Sequence, residues 1–408
     1  MKHLFVWMQG ADGGTRLVGE LATTDPLPGG RFESEFEYAP EWIADPTAFA
    51  IDPVSLPLRA RGRFRAEQFN PPLAVFDDAL PDDWGRRLLT QALKAEGRNP
   101  FPPEMLLRFS GSGTGALAFT EERTSLATPS TLETRALSTL LRAATKFEAG
   151  TLPMSDDFRK LLEGSSRVGG ARPKALLHDD DGEWLAKFPS RVRDGAQDVV
   201  GLEATCLDLA RRAGLRAPDS RLQSLGRQRV LLVRRFDITA RGGRIHMVSL
   251  RTLCKERPGV FITNYGEMAQ VVGKCSSAPG TDVAALFRQM LFNAAIGNVD
   301  DHLKNFWMLA MPSGYRLAPA FDLVPDLSGR GDHTLSFQYG FACPTRDVLL
   351  AVADDWRVAN AGEILNQVMV AVSSFTATAK KLRVRAGKPL ETVRSDIRRR
   401  LGLIRGRS

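Results

Sequence analysis

Apolar and polar positions alternate along the first third of the chain. In RFESEFEYAP, Phe32, Phe36 and Tyr38 fall on one side of a period of two, with Glu33, Glu35 and Glu37 on the other, which predicts a half-exposed strand. The period then lengthens. Asp82 and Asp83 open a helix carrying Trp84, Leu88 and Ala92 on one face, and Gly97 stops it. Beyond the polar stretch Glu121–Ser130, Lys174–His178 reads as a strand, Asp181-Gly182 as a tight turn and Glu183–Phe188 as the returning strand. An amphipathic helix follows, with Val199, Leu202, Cys206, Leu209 and Ala210 on one face and Gly214 at its end. Arg221–Leu225 and Arg229–Val233 predict a hairpin turning at Gly226. After about residue 240 the pattern is helical, interrupted by a hairpin from Phe306 to Ala318 around Pro312-Ser313-Gly314.

These elements divide the chain into four expected segments: a β-rich module (1–120), a linker and connecting helix (121–154), a sheet with one inserted helix (155–240) and a mainly helical lobe (241–408). The fold class is α+β. The length of 408 residues suits several domains, and the composition, 43% hydrophobic and 25% charged, is that of a globular protein. The N-terminus lacks the apolar core of a signal peptide and no stretch is long enough to span a bilayer, so a cytoplasmic location is expected. Cys206, Cys254, Cys275 and Cys343 form no C-x-x-C pair, which argues against a zinc site and for reduced thiols. The net charge of +8 is a tail property: residues 380–408 hold eleven Lys/Arg against two acids. A solvated helix face is the ordinary reading of such a run, and a surface for DNA or an acidic partner the sharper one.

Candidate chemistry is densest at Asn298-Val299-Asp300-Asp301-His302-Leu303-Lys304-Asn305, after an apolar helix through Leu286, Met290 and Leu291. Phosphoryl transfer needs a carboxylate to orient the acceptor hydroxyl, plus oxygen ligands that hold Mg²⁺ on the phosphates. Asp300 and Asn305 have the D-x-x-x-x-N spacing of a kinase catalytic loop, and Asp322, beyond the hairpin, stands where a second metal-binding carboxylate is required. Asp301 breaks the spacing and reads as the bystander of the pair. His302 serves either to hydrogen-bond phosphates or to brace the loop. Upstream, Lys187 lies on a strand and Glu203 on the next helix, an order in which a carboxylate holds an ATP-binding lysine. The segment from Gly164 to Lys174 offers adjacent glycines, Gly169 and Gly170, for close backbone approach to phosphate, with Arg172 and Lys174 adding charge. Gly111–Ala116 lacks the setting of a nucleotide loop and reads as a structural turn.

In combination these motifs resemble the HipA family of bacterial toxin kinases along nearly the whole chain. The N-terminal module carries the resemblance through Phe76–Asp82 and Gly113–Leu117. The remainder carries it through Gly169–Lys174, Lys187, Glu203, Val233–Asp237, Asp300–Phe306, Tyr315–Leu317 and Phe321-Asp322. It implies a two-lobed protein-kinase-like fold with an added N-terminal domain and the activity of an ATP- and Mg²⁺-dependent serine/threonine kinase. Asp300 and His302 would be the catalytic groups, and Asn305 and Asp322 the metal ligands. ATP would be bound by Val168, Gly169, Gly170, Ala171, Arg172, Lys174, Lys187 and Glu203, with a hinge at Arg234 and Phe236. The resemblance also implies a HipB-like antitoxin as partner, DNA reached through that antitoxin, and a protein substrate in translation such as an aminoacyl-tRNA synthetase. In the best-known member of the family a serine before the glycines is autophosphorylated. Arg167 occupies that position here, and Ser165 and Ser166 precede it, Ser166 being favoured for its proximity to the glycines. A lipid or small-molecule kinase, or a regulatory module acting with an antitoxin on DNA, are the alternatives.

Overall fold

The computed structural model describes residues 2–25, 32–59, 62–66, 74–109, 113–123, 132–165, 170–255, 264–337 and 340–406. The chain gathers into two compact units. One comprises residues 1–190, 234–260 and 309–312, the other 191–233, 261–308 and 313–408.

The first unit opens with an antiparallel five-stranded sheet in the order Arg63–Arg65, Ser34–Tyr38, Thr15–Thr23, Lys2–Gln9, Leu117–Thr120. The alternation in Ser34–Tyr38 sorts its faces: Phe36 and Tyr38 are buried, while Glu35 and Glu37 face outward to Arg63 at 3.0 and 3.1 Å. Phe36 packs on Phe76 with ring centroids 5.2 Å apart, and Phe76 on Phe119 at 6.0 Å. The short helix Ala74–Asp77 is thereby pinned to the sheet, and the two aspartates after Phe76 face a different neighbour. The Asp78 carboxylate accepts hydrogen bonds from the Ser249 N–H (2.8 Å), the Ser249 hydroxyl (2.7 Å) and the Thr252 hydroxyl (2.8 Å), while Asp77 accepts from Arg251 at 2.9 Å.

A second sheet segment in this unit joins Leu132–Glu133, parallel, to Lys174–Asp179, which pairs antiparallel with Gly182–Lys187. The segment expected to link domains thus contributes a strand. The Gly113-Thr114-Gly115 turn ties structure together. The buried Arg235 grips Asp237 at 3.0 and 2.6 Å, the Gly115 N–H donates to Asp237 at 2.7 Å, and Arg235 and Arg244 both donate to the Gly113 carbonyl. Gly115 has φ +75°, which suits glycine.

The second unit holds the hairpin Ser220–Leu225 and Gln228–Arg234, turning at Gly226, and a set of helices around Pro279–Ile296. That helix is apolar nearly all round, as its central position requires, and packs against Tyr265–Cys275, Ala361–Ser373 and Lys388–Arg405. The motif Tyr315-Arg316-Leu317 is explained by Asp282, which is wholly buried. Its carboxylate accepts from Arg316 at 2.9 and 3.0 Å, from the Leu317 N–H at 2.9 Å and from the Ser276 hydroxyl at 2.7 Å. Burial opposes ionisation there, yet these donors hold the Asp282 carboxyl below its ordinary value. The C-terminal helix Lys388–Arg405 buries Leu390, Val393, Ile397, Leu401 and Ile404, and with them Arg400, so the basic tail is not uniformly solvated. No described helix is long and apolar enough to cross a membrane.

Burial raises the Asp78 carboxyl to about 6 against the opposing pull of its three hydrogen bonds. The native protein therefore takes up a proton that the unfolded chain, with a carboxyl near 3.9, does not hold until lower pH. This contribution to stability is complete below about pH 4 and lost as pH rises through 6, a change of roughly 3 kcal/mol. Denaturant titrations of wild type and Asp78→Ala at pH 4 and pH 7 should show wild type gaining that much, relative to the variant, at the lower pH.

Candidate functional site

The sequence-predicted residues fall into two sets, one in each unit. In the first unit, Lys174 and Lys187 stand directly opposite each other across an antiparallel pair, and both are buried. Like charges so placed repel, and a nearby anion offsets the cost. Gly170, four residues before Lys174, has φ +102°, and a Cβ there would collide with the Lys174 ammonium group. The backbone conformation favours glycine, while the Lys174 end would have to shift aside for any side chain. The Gly170 main chain is held from outside its own loop: its N–H donates to the Asp82 carboxylate at 3.1 Å, and its carbonyl accepts from the Trp84 N–H at 3.1 Å. Asp82 sits at the N-cap of helix Asp83–Ala95 but makes no side-chain capping bond there.

Ala171 and Arg172 are half-buried beside Gly170. Arg234 is exposed and donates to the Asp181 carbonyl at 2.7 Å, and Phe236 is half-buried. Ser165 ends the helix Asp156–Ser165, wholly buried, with a hydroxyl that meets no hydrogen-bond partner among the described residues. Ser166, Val168 and Gly169 lie outside the described residues. Glu203, in the second unit, is buried on helix Val199–Arg212.

The second set is built around two adjacent aspartates that face opposite ways. Asp301 is fully buried, and its carboxylate accepts four hydrogen bonds: the Tyr265 hydroxyl (2.6 Å), His333 Nδ1–H (2.9 Å), the Thr334 N–H (2.9 Å) and the Leu335 N–H (3.3 Å). Burial, and then the Asp301 charge, push the Tyr265 phenol far above its ordinary value, so it stays a donor. With Asp301 turned inward, Asp300 is turned out, its side chain 65% exposed, with Arg330 at 3.7 Å. The Asn305 amide donates to the Asp300 carbonyl at 2.8 Å and closes the loop through the single turn Leu303–Asn305. His302 Nδ1 is buried and meets no hydrogen-bond partner among the described residues, so bracing through that atom is not seen.

The network continues to both ends of the site. Tyr265 accepts from Asn293 at 3.2 Å, Asn293 accepts from Asn298 at 3.1 Å, and Asn298 reaches the Asp322 carbonyl at 3.5 Å. Asp322 has φ +56°, an uncommon conformation for a residue with a side chain and one that tends to collect at functional sites. On the other side, His333 Nε2 lies 3.1 Å from Arg400, whose guanidinium also donates to Asp396, to the Gly331 carbonyl and to the Ala294 carbonyl. Asp301, Tyr265, His333 and Arg400 were not legible as one cluster, since they come from four separate stretches. Position 400 did carry a signal: it lies three residues after Ile397 and four before Ile404, on the apolar stripe of its helix.

Asp322 and Asn305 offer the hard oxygen donors that Mg²⁺ takes, and one or two carboxylates with substrate phosphates suffice for it. Among the described residues no cluster of three or more His, Cys, Asp or Glu could hold a metal ion by itself.

Residues 6–120 match the HipA N-terminal domain and residues 166–378 the HipA-like C-terminal domain. Y4mE of Sinorhizobium fredii, which carries a provisional kinase name, is 27% identical over 362 residues, covering 80% of this chain and 79% of its own. Y4dM of the same organism, similarly named, is 30% identical over 179 residues, 38% of this chain and 41% of its own. The fold is similar to that of a solved Shewanella oneidensis complex of a toxin-antitoxin system, HipA with HipB and operator DNA. The match has a TM-score of 0.69 at 18% identity and covers 99% of this chain and 97% of that one. The two domain matches together show that this chain belongs to the HipA family.

Proposed function

We propose that this protein is an ATP- and Mg²⁺-dependent serine/threonine protein kinase of the HipA type. The observation that carries the proposal is the opposed pair Asp300 and Asp301. One carboxylate is buried among four donors, and the other is thereby presented outward on a loop closed by Asn305. Asp300 suits the role of orienting an acceptor hydroxyl and taking its proton. Asn305 and Asp322 would hold Mg²⁺, which when bound supplies charge neutralisation on the transferring phosphoryl group. The paired Lys174 and Lys187 suit the polyphosphate of ATP by supplying positive charge, and Gly170 lets the chain pass close beside the Lys174 ammonium group. Glu203, Arg172, Arg234 and Phe236 keep the nucleotide-binding roles that the family resemblance assigns, and His302 keeps the catalytic one.

A HipB-like antitoxin is the proposed partner, by likeness to the Shewanella HipA complex, with DNA contacted through it and a translation protein as target. Of the two serines proposed for self-modification, Ser165 would require the end of its helix to open first, because its hydroxyl is buried. Ser166 is therefore the favoured site.

Two variants separate the roles. Asp300→Asn should lower the rate of phosphoryl transfer by about 10² to 10⁴ while ATP affinity stays within a few-fold, because Asp300 acts on the acceptor. Asp322→Asn should weaken nucleotide binding only when Mg²⁺ is present, since it removes a full charge from the metal. Transfer assays with labelled ATP, beside calorimetry with and without Mg²⁺, check both. Labelling of lipid or small molecules and of no protein would replace the acceptor class.

Lys187→Met should remove charge from the phosphate-binding pair. Nucleotide affinity should fall about tenfold or more, as for loss of a charge-assisted contact of about 1.5 to 3 kcal/mol. The rise in melting temperature on adding ATP should shrink with it. Thermal melts with and without ATP measure both effects.

A further inference from the structure

The hydrogen-bond chemistry of His333 fixes its tautomer and gives Arg400 a role. A guanidinium donates and cannot accept, so where Arg400 meets His333 Nε2 at 3.1 Å that nitrogen must be the acceptor. The imidazole proton is therefore on Nδ1, where it donates to Asp301 Oδ2 at 2.9 Å. Arg400 is in turn held on every side. Asp396, one turn earlier on the same helix, accepts from its Nε at 2.5 Å, and the Gly331 carbonyl accepts from Nη2 at 3.0 Å. Gly297, which ends the central helix with φ +72°, leaves the space: a Cβ there would lie 2.8 Å from Arg400 Nε and 2.9 Å from the Asp396 carboxylate. Immediately beyond Gly297 the chain runs through Asn298 and Val299 into Asp300.

We propose that Arg400 and His333 are positioning residues for phosphoryl transfer: the C-terminal helix sets the tautomer of His333, His333 fixes Asp301, and the buried Asp301 aims Asp300. This rests on the kinase reading above. It goes beyond it in making a residue of the basic C-terminal segment part of the reaction, although every group expected to touch substrate lies upstream.

The tautomer argument makes the test specific. Glutamine at 333 can reproduce both bonds, its amide N–H donating to Asp301 and its carbonyl accepting from Arg400. Leucine can make neither. His333→Leu should lower kcat about 10- to 100-fold, the scale of a catalytic group misplaced by about 1 Å, with KM for ATP and nucleotide affinity within threefold of wild type. His333→Gln should recover most of that loss, and Arg400→Met, which has no donor for His333 Nε2, should resemble His333→Leu. Arg398→Ala, exposed on the same helix, should change neither constant. A fall in kcat shared equally by the Gln and Leu variants, with a parallel loss of melting temperature and nucleotide binding, would mean a merely structural role and overturn the proposal. So would an unchanged kcat in His333→Leu. Should wild type itself transfer no phosphate, the kinase reading fails, and hydrogen exchange at the amides of 299–305 still decides the coupling: faster exchange in His333→Leu but not in His333→Gln supports it, and equal protection in all three refutes it.

Discussion

A carboxylate removed from water has to be met by donors, and the burial of Asp301 is the constraint on which the second unit's site depends. Four donors from two parts of the sequence converge on it: Tyr265 at the start of helix Tyr265–Cys275, and His333, Thr334 and Leu335 in one run, of which His333 makes the link to the C-terminal helix and Thr334 also meets Val299. The loop holds Asp301 inward among these donors and leaves Asp300 outside, its side chain 65% exposed. The exposed acid owes its direction to its buried neighbour.

The same division between a group that acts and a group that places it recurs in the first unit. Gly170 is held at both its N–H and its carbonyl by the start of helix Asp83–Ala95, and Asp82 serves the glycine in place of its own helix. A free N-cap side chain would stabilise its helix by about 1 kcal/mol. Here that interaction is directed to the backbone beside Lys174 and Lys187.

Local pattern in the sequence was enough for the strands Ser34–Tyr38 and Gly182–Lys187, helices Asp83–Ala95 and Val199–Arg212, and the hairpin before Asp322, because period and turn residues report on near neighbours. The spacing of Asp300, Asn305 and Asp322 was legible for the same reason. What connects them was not. Reading Asp301 as the bystander missed that it anchors the loop, since its partners at 265 and 333 to 335 are distant in the chain and a carboxylate carries no mark of its future burial. The summed charge of the tail likewise concealed that Arg400 points inward while Arg398 and Arg399 remain outside, although the apolar spacing around it held the clue.

The Asp82 contact bears on how such a protein can be divided. A fragment beginning after the first 120 residues would retain the strands carrying Lys174 and Lys187, yet Gly170 would lose the partners of both its backbone polar groups. The N-terminal domain is in that sense an inherited portion of the glycine loop, and gene fusions or recombinations that exchange it must carry an equivalent of Asp82 and Trp84 with them.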